Sequence, residues 1–194
     1  MLRRFYLFFL RKAGWKFVGH IPTDIQKFIA VVAPHTSNSD FIIGVAARSV
    51  LGLTRTRYLG KSQLFRFPYG FIFKMLGGYP VDRSRHNNMV DAVVEIFKEH
   101  EEFSIALAPE GTRSKVNKIK TGFYHIARKA AVPIVLVGFD YGTRSIIFKD
   151  PFYPTNDIES DFKMFIDFFA KMQGKVPEKG LTQDVFENMR AKLI

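Results

Sequence analysis

Two continuous apolar runs, at residues 103–108 and 133–141, constrain the fold of this 194-residue chain most strongly. Strands that are covered on both faces carry such runs, and they occur mainly in parallel sheets with helices on either side. Segments with helical periodicity alternate with the strand segments, as is typical of layered α/β folds. We therefore expect an α/β fold: a single layered domain over residues 1–194, with a mixed, largely parallel central sheet flanked by helices.

The remaining elements follow from periodicity, turn residues and helix caps. We expect further strands at residues 15–21, 27–33, 57–61 and 79–82, and an edge strand at 144–148. Helices are predicted from the start of the chain to about residue 14 and at 37–51, 87–100, 123–131, 157–172 and 182–194. Functional residues of such folds gather beyond the carboxyl ends of the strands.

Charge and cysteine content narrow the classes of function. The chain has 29 Lys and Arg against 18 Asp and Glu, and the net charge of +11 predicts an anionic partner. Nucleic acid, an acidic membrane surface and a phosphorylated small molecule all qualify, and the 21 Phe favour an apolar partner over nucleic acid. The chain has no cysteine, which excludes disulfides, thiolate metal sites and a cysteine acyl-enzyme.

His35 and Asp40 are the candidate catalytic pair. His35 lies in a turn after an apolar strand, and Asp40 lies where a helix begins. A carboxylate at a helix N-terminus is held ionised, and it can fix the tautomer of an imidazole and raise its basicity. Because the chain has no Gly-x-Ser-x-Gly elbow, the expected nucleophile is a substrate hydroxyl, with His35 as its general base. Helix capping beside a satisfied histidine is the alternative interpretation.

His86 and Asp91 repeat the same spacing in a polar, Asn-rich stretch. No apolar strand leads into this second pair, so we interpret it as solvated helix capping.

A polar turn after the run at 103–108 is the candidate phosphate site. Residues 110–114 are Glu-Gly-Thr-Arg-Ser, and exposed amides, hydroxyls and a guanidinium after a strand suit a phosphate oxyanion. Arg113 is the expected bidentate partner, and an ordinary turn with a Glu110–Arg113 ion pair is the alternative. Two weaker signals are Arg83, after a short strand that follows a Gly-Gly pair, and Lys120, just before a Gly and a helix.

Taken in order, these motifs resemble those of a known family. His-x4-Asp at 35–40, Val-Asp-Arg at 81–83, Pro-Glu-Gly-Thr-Arg-Ser at 109–114 and Val-Pro-Ile-Val at 132–135 look like four blocks of the glycerolipid acyltransferases. The type members of that family are the 1-acyl-sn-glycerol-3-phosphate acyltransferases. Two departures leave the acceptor open: Ala108 stands where the family commonly has an aromatic residue, and the chain is shorter than the usual enzyme.

The resemblance implies acyl transfer from acyl-CoA or acyl-carrier protein to the free hydroxyl of a lysophospholipid. The expected acceptor is 1-acyl-sn-glycerol-3-phosphate, giving phosphatidic acid; another lyso-lipid, such as a lyso-aminolipid, is the alternative. By the same resemblance His35 is the base, Asp40 orients it, and residues 132–135 are structural or line the acyl path. No metal or other cofactor is implied. The implied acceptor-phosphate site comprises Arg83, Glu110, Gly111, Thr112, Arg113 and Lys120.

The first 17 residues mix apolar and aromatic side chains with five basic ones, a profile typical of helices that lie in a membrane interface. No run approaches the roughly 20 apolar residues that cross a bilayer, and no signal-peptide pattern is present. We therefore expect a chain that starts at Met1 and lies peripherally on the cytoplasmic face of an anionic membrane. Residues 66–75 supply a second aromatic surface. The alternative is that these aromatic residues belong to the core.

Two other classes of protein fit parts of the pattern. A nucleic-acid-binding domain would explain the charge, but Lys and Arg are scattered and no recognised binding motif is present, so we expect no nucleic-acid partner. A non-catalytic peripheral lipid-binding protein would explain the basic aromatic surfaces, but it leaves the motifs at 35–40 and 110–114 without a role.

Overall fold

Seven strands form one sheet in the described part of the chain, which is residues 2–81, 89–155 and 157–193 of a computed structural model. The strands are β1 (Lys16–Gly19), β2 (Lys27–Ala33), β3 (Thr56–Lys61), β4 (Gly78–Val81), β5 (Phe103–Leu107), β6 (Ile134–Asp140) and β7 (Ser145–Phe148). Their spatial order is β1-β7-β6-β2-β5-β3-β4. Paired neighbours are parallel except β6 and β7, which are antiparallel. The predicted α/β fold with a mixed, largely parallel sheet is confirmed.

Helices cover both faces of this sheet. Those in the described ranges are α1 (Leu2–Lys12), α2 (Asn38–Val50), α3 (Gly70–Met75), α4 (Met89–Glu99), α5 (Gly122–Ala130), α6 (Ile158–Phe169) and α7 (Gln183–Leu193), with 3₁₀ turns at Ser62–Phe65 and Pro177–Lys179.

The sheet separates two apolar layers, because successive side chains of a strand point to opposite faces. In β2, Ile29 and Val31 join the layer under α4, α5, α6 and α7, whereas Phe28 and Ala30 join the layer under α1 and α2. All seven residues of the neighbouring β6 are buried, as the apolar run at 133–141 predicts. The two central strands therefore form a rigid platform from which the following loops project.

The segment at 144–148 is a strand, but the prediction that it is an edge strand is wrong. β7 lies between β6 and β1. The Asp140 carboxylate accepts hydrogen bonds from the amides of Gly142 and Thr143, at 3.2 and 3.3 Å, and this turn folds β7 back onto β6. The Lys16 amide donates to the Arg144 carbonyl at 3.0 Å, so β1 pairs with the free side of β7 and becomes the edge itself.

The N-terminal helix ends close to the predicted residue 14, and it therefore occupies only part of the basic, aromatic segment 1–17 that was predicted to lie in a membrane interface. It ends at Lys12, because Gly14 adopts a left-handed φ of 77° and the Trp15 amide returns to the Leu10 carbonyl at 2.9 Å. The residues from Lys16 onward belong to β1. Across the described ranges, no helix has both the length and the apolar character that spanning a bilayer requires.

Candidate active site

The carboxyl ends of β2, β5 and β6 meet at one edge of the sheet. Ala33, the last residue of β2, is paired with Gly138 of β6, and β5 lies on the other side of β2. The loops that follow these three strands carry His35, Glu110 and Tyr141. Side chains that are far apart in sequence are therefore brought to the place where ligands bind in parallel α/β sheets.

The structure brings the predicted pair His35 and Asp40 into contact. His35 Nδ1 lies 3.3 Å from Asp40 Oδ2; the imidazole is 21% exposed, whereas the carboxylate is almost fully buried. The same Asp40 oxygen accepts hydrogen bonds from the amides of Thr36 and Ser37, both at 2.8 Å. The bond from the Ser37 amide, together with the Ser37 side chain, which accepts from the Ser39 amide, forms a capping box at the start of α2. Asp40 thus serves as a helix cap and as the partner of His35.

Tyr141 completes the environment of Asp40. Its hydroxyl donates a hydrogen bond of 2.6 Å to Asp40 Oδ1. Burial alone would raise the pKa of Asp40, but the hydrogen bonds from His35, Tyr141 and the Ser37 amide outweigh it and hold that pKa below its usual value. Burial and the nearby carboxylate raise the pKa of the Tyr141 phenol. The arrangement keeps Asp40 ionised and Tyr141 protonated at neutral pH.

Tyr141 was not among the site residues predicted from the sequence. The contact joins residues 101 positions apart, and nothing in the local pattern predicts it. The available signal was its position directly after a buried strand, the same signal that singled out the loop of His35.

Glu110 lies beneath the His35 turn. The His35 amide donates to Glu110 Oε1 at 2.8 Å, and the residue is only 3% exposed. Burial raises the pKa of Glu110 to about 7 and outweighs the backbone hydrogen bonds that lower it. Within the described ranges its Oε2 has no hydrogen-bond partner. The carboxylate therefore joins the loop after β5 to the loop after β2. One of its oxygens binds the protein backbone.

Gly111, Thr112 and Lys120 meet at an open cleft next to Glu110. Gly111 has a left-handed φ of 66°, and a Cβ there would lie 2.6 Å from Lys120 Nζ, so a glycine is needed for the ammonium to lie over the turn. The Lys120 amide donates to the Pro109 carbonyl at 2.8 Å, which closes the loop. The cleft has a volume of about 630 Å³ and is lined by Glu110, Gly111, Thr112, Val116, Asn117, Lys118, Lys120 and Asn188.

Lys118, Asn117 and Asn188 line the cleft but were not predicted from the sequence. Asn188 Nδ2, on α7, donates to the Asn117 carbonyl at 3.2 Å and so fixes the outer wall. Lys118 could have been found from its position between two residues that were already candidates. Asn188 could not, because it reaches the cleft from the last helix.

The other predicted residues are placed differently. Arg113 is exposed and does not line the cleft, and Arg83 lies outside the described residues, as does His86. Asp91, the predicted partner of His86, forms an exposed ion pair of 2.7 Å with Lys129. Residues 132–135 are core: Val132, Ile134 and Val135 are buried. Within the described ranges, no three His, Asp or Glu side chains are grouped as metal ligands.

Comparisons with known proteins agree with this architecture. The sequence model of the Acyltransferase family matches residues 18–140. The fold is similar to the crystal structure of the 1-acyl-sn-glycerophosphate (LPA) acyltransferase PlsC from Thermotoga maritima, with a TM-score of 0.57 and 20% sequence identity. That similarity covers 98% of this chain and 78% of the Thermotoga chain. No curated protein sequence matches significantly.

Proposed function

This chain belongs to the acyltransferase family of enzymes, and we propose that it acylates the free hydroxyl of a lysophospholipid. The proposed donor is acyl-CoA or acyl-carrier protein, and the proposed acceptor is 1-acyl-sn-glycerol-3-phosphate, which becomes phosphatidic acid. The observation that carries the proposal is a partly exposed His35, paired with Asp40 at 3.3 Å, in a loop joined through Glu110 to a basic cleft. The structurally similar Thermotoga protein acts on 1-acyl-sn-glycerophosphate.

His35 is the general base of the proposed reaction. Its Nδ1 faces Asp40, which leaves Nε2 for the acceptor hydroxyl. The hydroxyl oxygen bonds to the thioester carbonyl carbon while its proton passes to Nε2. The tetrahedral intermediate then expels the thiolate by breaking the C–S bond, and the proton on Nε2 passes to the sulfur. Such general-base catalysis contributes roughly 10²–10⁴-fold.

Asp40 orients the base and stabilises the imidazolium that forms during transfer. An ionised carboxylate next to Nδ1 favours the tautomer with the proton on that nitrogen. The backbone amides of Thr36 and Ser37 hold the carboxylate in place, so little reorganisation is required when the proton moves.

The cleft is the proposed site for the acceptor phosphate. Lys118 and Lys120 supply positive charge, and the turn at Gly111 and Thr112 offers backbone amides and a hydroxyl. Arg113, exposed next to this turn, is proposed to close over the phosphate, and Arg83 to add a further cation. Glu110 is proposed to act by positioning the His35 loop, because its carboxylate accepts from the His35 amide.

Peripheral membrane binding is proposed for two apolar surfaces. One is the outer face of α1, where Phe8 is 64% exposed and Lys12 lies over its ring at 5.9 Å. The other is the segment around α3, where Phe67 is 96% exposed. Basic residues of α1 would add about 1 kcal/mol each near anionic lipid. The exposed apolar residues include Leu2, Phe5, Phe8 and Phe9 on the first surface and Phe67, Tyr69, Phe71 and Met75 on the second.

Flotation with anionic vesicles tests whether the outer face of α1 binds the membrane. Phe8→Ser combined with Phe9→Ser should reduce binding at every salt concentration, since apolar burial is not screened by salt. Tyr153→Ser, which also removes an exposed aromatic side chain, is the matched control and should bind as the wild type does. Equal binding by the double variant and the control would exclude α1 as the anchor.

The acceptor is tested with purified protein, oleoyl-CoA or oleoyl-acyl-carrier protein, and vesicles that contain one candidate acceptor each. We expect phosphatidic acid to form from lysophosphatidic acid, measured by mass spectrometry, and little acylation of monoacylglycerol, which lacks the phosphate.

Arg113→Ala should raise the acceptor KM by about tenfold or more, because a charge-assisted contact is lost. Arg55→Ala removes an exposed arginine at the far end of β3 and should leave this KM unchanged.

Equal rates with lysophosphatidic acid and monoacylglycerol would contradict the phosphate assignment. If only a lyso-aminolipid is acylated, the proposed acyl transfer stands and the proposed acceptor, lysophosphatidic acid, is wrong.

A further inference from the structure

Tyr141 reaches the candidate active site from the loop after β6, the strand next to β2, and the loop after β2 carries His35. Ala33, at the end of β2, is paired with Gly138, so β6 extends beyond β2 and places Tyr141 above Asp40. Its hydroxyl is 2.6 Å from Asp40 Oδ1, the carboxylate oxygen that does not contact His35.

Contacts within the protein hold the Tyr141 ring in place. Trp15 packs against it edge to face, with 4.9 Å between the ring centroids. The Tyr141 amide donates to the Gln173 carbonyl at 2.8 Å, and the preceding Asp140 accepts from the Gln173 amide at 3.1 Å. The hydroxyl is therefore a rigidly placed donor.

Hydrogen bonds to both oxygens determine the rotation of the Asp40 carboxylate. The amides of Thr36 and Ser37 bind Oδ2, the oxygen that also faces His35, and Tyr141 binds Oδ1. A carboxylate held at one oxygen keeps freedom about its Cβ–Cγ bond, because this torsion has broad energy wells. A donor at the second oxygen removes that freedom.

We propose that Tyr141 is a positioning residue that acts through Asp40: its hydroxyl locks the carboxylate so that Oδ2 stays directed at His35 Nδ1. The inference rests on the proposed function, because it assigns a support to the same general base. Tyr141 contacts no reacting atom in this account. Its loss should change how often His35 is correctly oriented, and should leave substrate binding as it is.

Tyr141→Phe removes only the hydroxyl, and the chain offers a matched control. Tyr124 on α5 likewise donates to a buried carboxylate, Asp161, at 2.8 Å, on the face of the sheet away from α2. Tyr141→Phe should lower kcat roughly tenfold or more with both KM values unchanged, since a hydrogen bond to a charged group is lost. Tyr124→Phe should lower thermal stability and keep kcat.

A double-mutant cycle separates action through Asp40 from any other effect of the hydroxyl. In an Asp40→Ala background, Tyr141→Phe should cause no further loss of kcat beyond about twofold. Multiplicative losses would overturn the proposal, and so would a Tyr141→Phe variant with wild-type kcat. A Tyr141→Phe variant that unfolds at the assay temperature while Tyr124→Phe remains folded would make the bond purely structural, which also overturns it. The cycle uses whichever acceptor of the panel is turned over, so a wrong acceptor does not affect it.

Nitrogen NMR of His35 tests the same proposal without any turnover. The wild type should show the tautomer with the proton on Nδ1, and Tyr141→Phe should show a mixture of tautomers, because the carboxylate then turns away for part of the time. Tyr124→Phe should match the wild type. Identical His35 spectra in the wild type and Tyr141→Phe would overturn the positioning role even if the acyl-transfer proposal itself had failed.

Discussion

Two buried aspartates of this protein have nearly the same surroundings, and we propose different roles for them. Asp40, in the first turn of α2, accepts the Tyr141 hydroxyl at 2.6 Å, and Asp161, in the first turn of α6, accepts the Tyr124 hydroxyl at 2.8 Å. Backbone amides add to both: those of Thr36 and Ser37 to Asp40, and that of Thr155 to Asp161. Both carboxylates anchor a helix start to a neighbouring loop.

The difference lies in one further partner. Asp40 also meets His35, an imidazole that is 21% exposed, whereas the side-chain partners described for Asp161 are the hydroxyls of Tyr124 and Thr155. A hydroxyl and an amide hold a carboxylate in place, but neither exchanges a proton readily near neutral pH. We therefore propose that Asp161 is structural, whereas Asp40 also supports chemistry because a titratable, partly solvent-exposed imidazole lies against it.

Removing the imidazole that distinguishes Asp40 from Asp161 should have the greatest effect on activity. His35→Ala should lower kcat by roughly 10²–10⁴-fold, because it removes the proposed base, and should change the free energy of unfolding little. His20→Ala is the matched control, since His20 Nε2 lies 3.4 Å from Asp24 Oδ1 but both side chains are mostly exposed. Steady-state kinetics of both variants make the measurement. Similar kcat values in the two variants would mean that the buried His35–Asp40 pair contributes no more to catalysis than the exposed His20–Asp24 pair does.

A smaller effect, on the pH dependence of stability, is expected for a third buried carboxylate, Glu110. Its pKa of about 7 in the folded protein lies above the ordinary 4.5, so the folded state binds the proton more tightly than the unfolded state does. The stability from this group is complete below about pH 4.5, falls as the pH rises towards 7, and is lost above it. The loss amounts to about 3 kcal/mol at most.

Glu110→Gln removes this pH dependence, because an amide does not ionise and its oxygen can still accept from the His35 amide. Urea unfolding at pH 5 and pH 8 should show the variant gaining stability relative to the wild type as the pH rises. Glu101→Gln, at an exposed position, should follow the wild type at both values. Parallel pH profiles for the wild type and Glu110→Gln would show that burial does not penalise the charge of Glu110.

Much of the site could be predicted from the sequence because its signals are local. An apolar strand, a turn and a helix cap lie within fourteen consecutive residues, 27–40, so the pattern placed His35 and Asp40 together. The turn at 110–114 was found in the same way, and its left-handed Gly111 provides the close approach of Lys120. The overall α/β fold followed from the apolar runs.

The features that could not be predicted depend on which strands are neighbours in the sheet, and strand pairing is not encoded in a local stretch of sequence. Tyr141 reaches Asp40 only because β6 pairs with β2 and extends beyond it. The edge assignment of β7 was wrong for the same reason: its run of residues predicts a strand, but the arrival of β1 at its open side is a long-range event. The direction of the Glu110 side chain, towards the His35 amide, likewise depends on how two loops meet.

Asp40→Asn and Asp161→Asn together test whether only Asp40 supports catalysis, with kcat and the free energy of unfolding as the two readouts. Asp161→Asn should lose about 1–3 kcal/mol of stability, because buried donors lose a charged acceptor, and should keep kcat within about twofold. Asp40→Asn should lose kcat by about 100-fold or more under conditions where the variant is fully folded, as the loss of general-base catalysis requires. Equal stability losses with kcat retained in both variants would contradict the account.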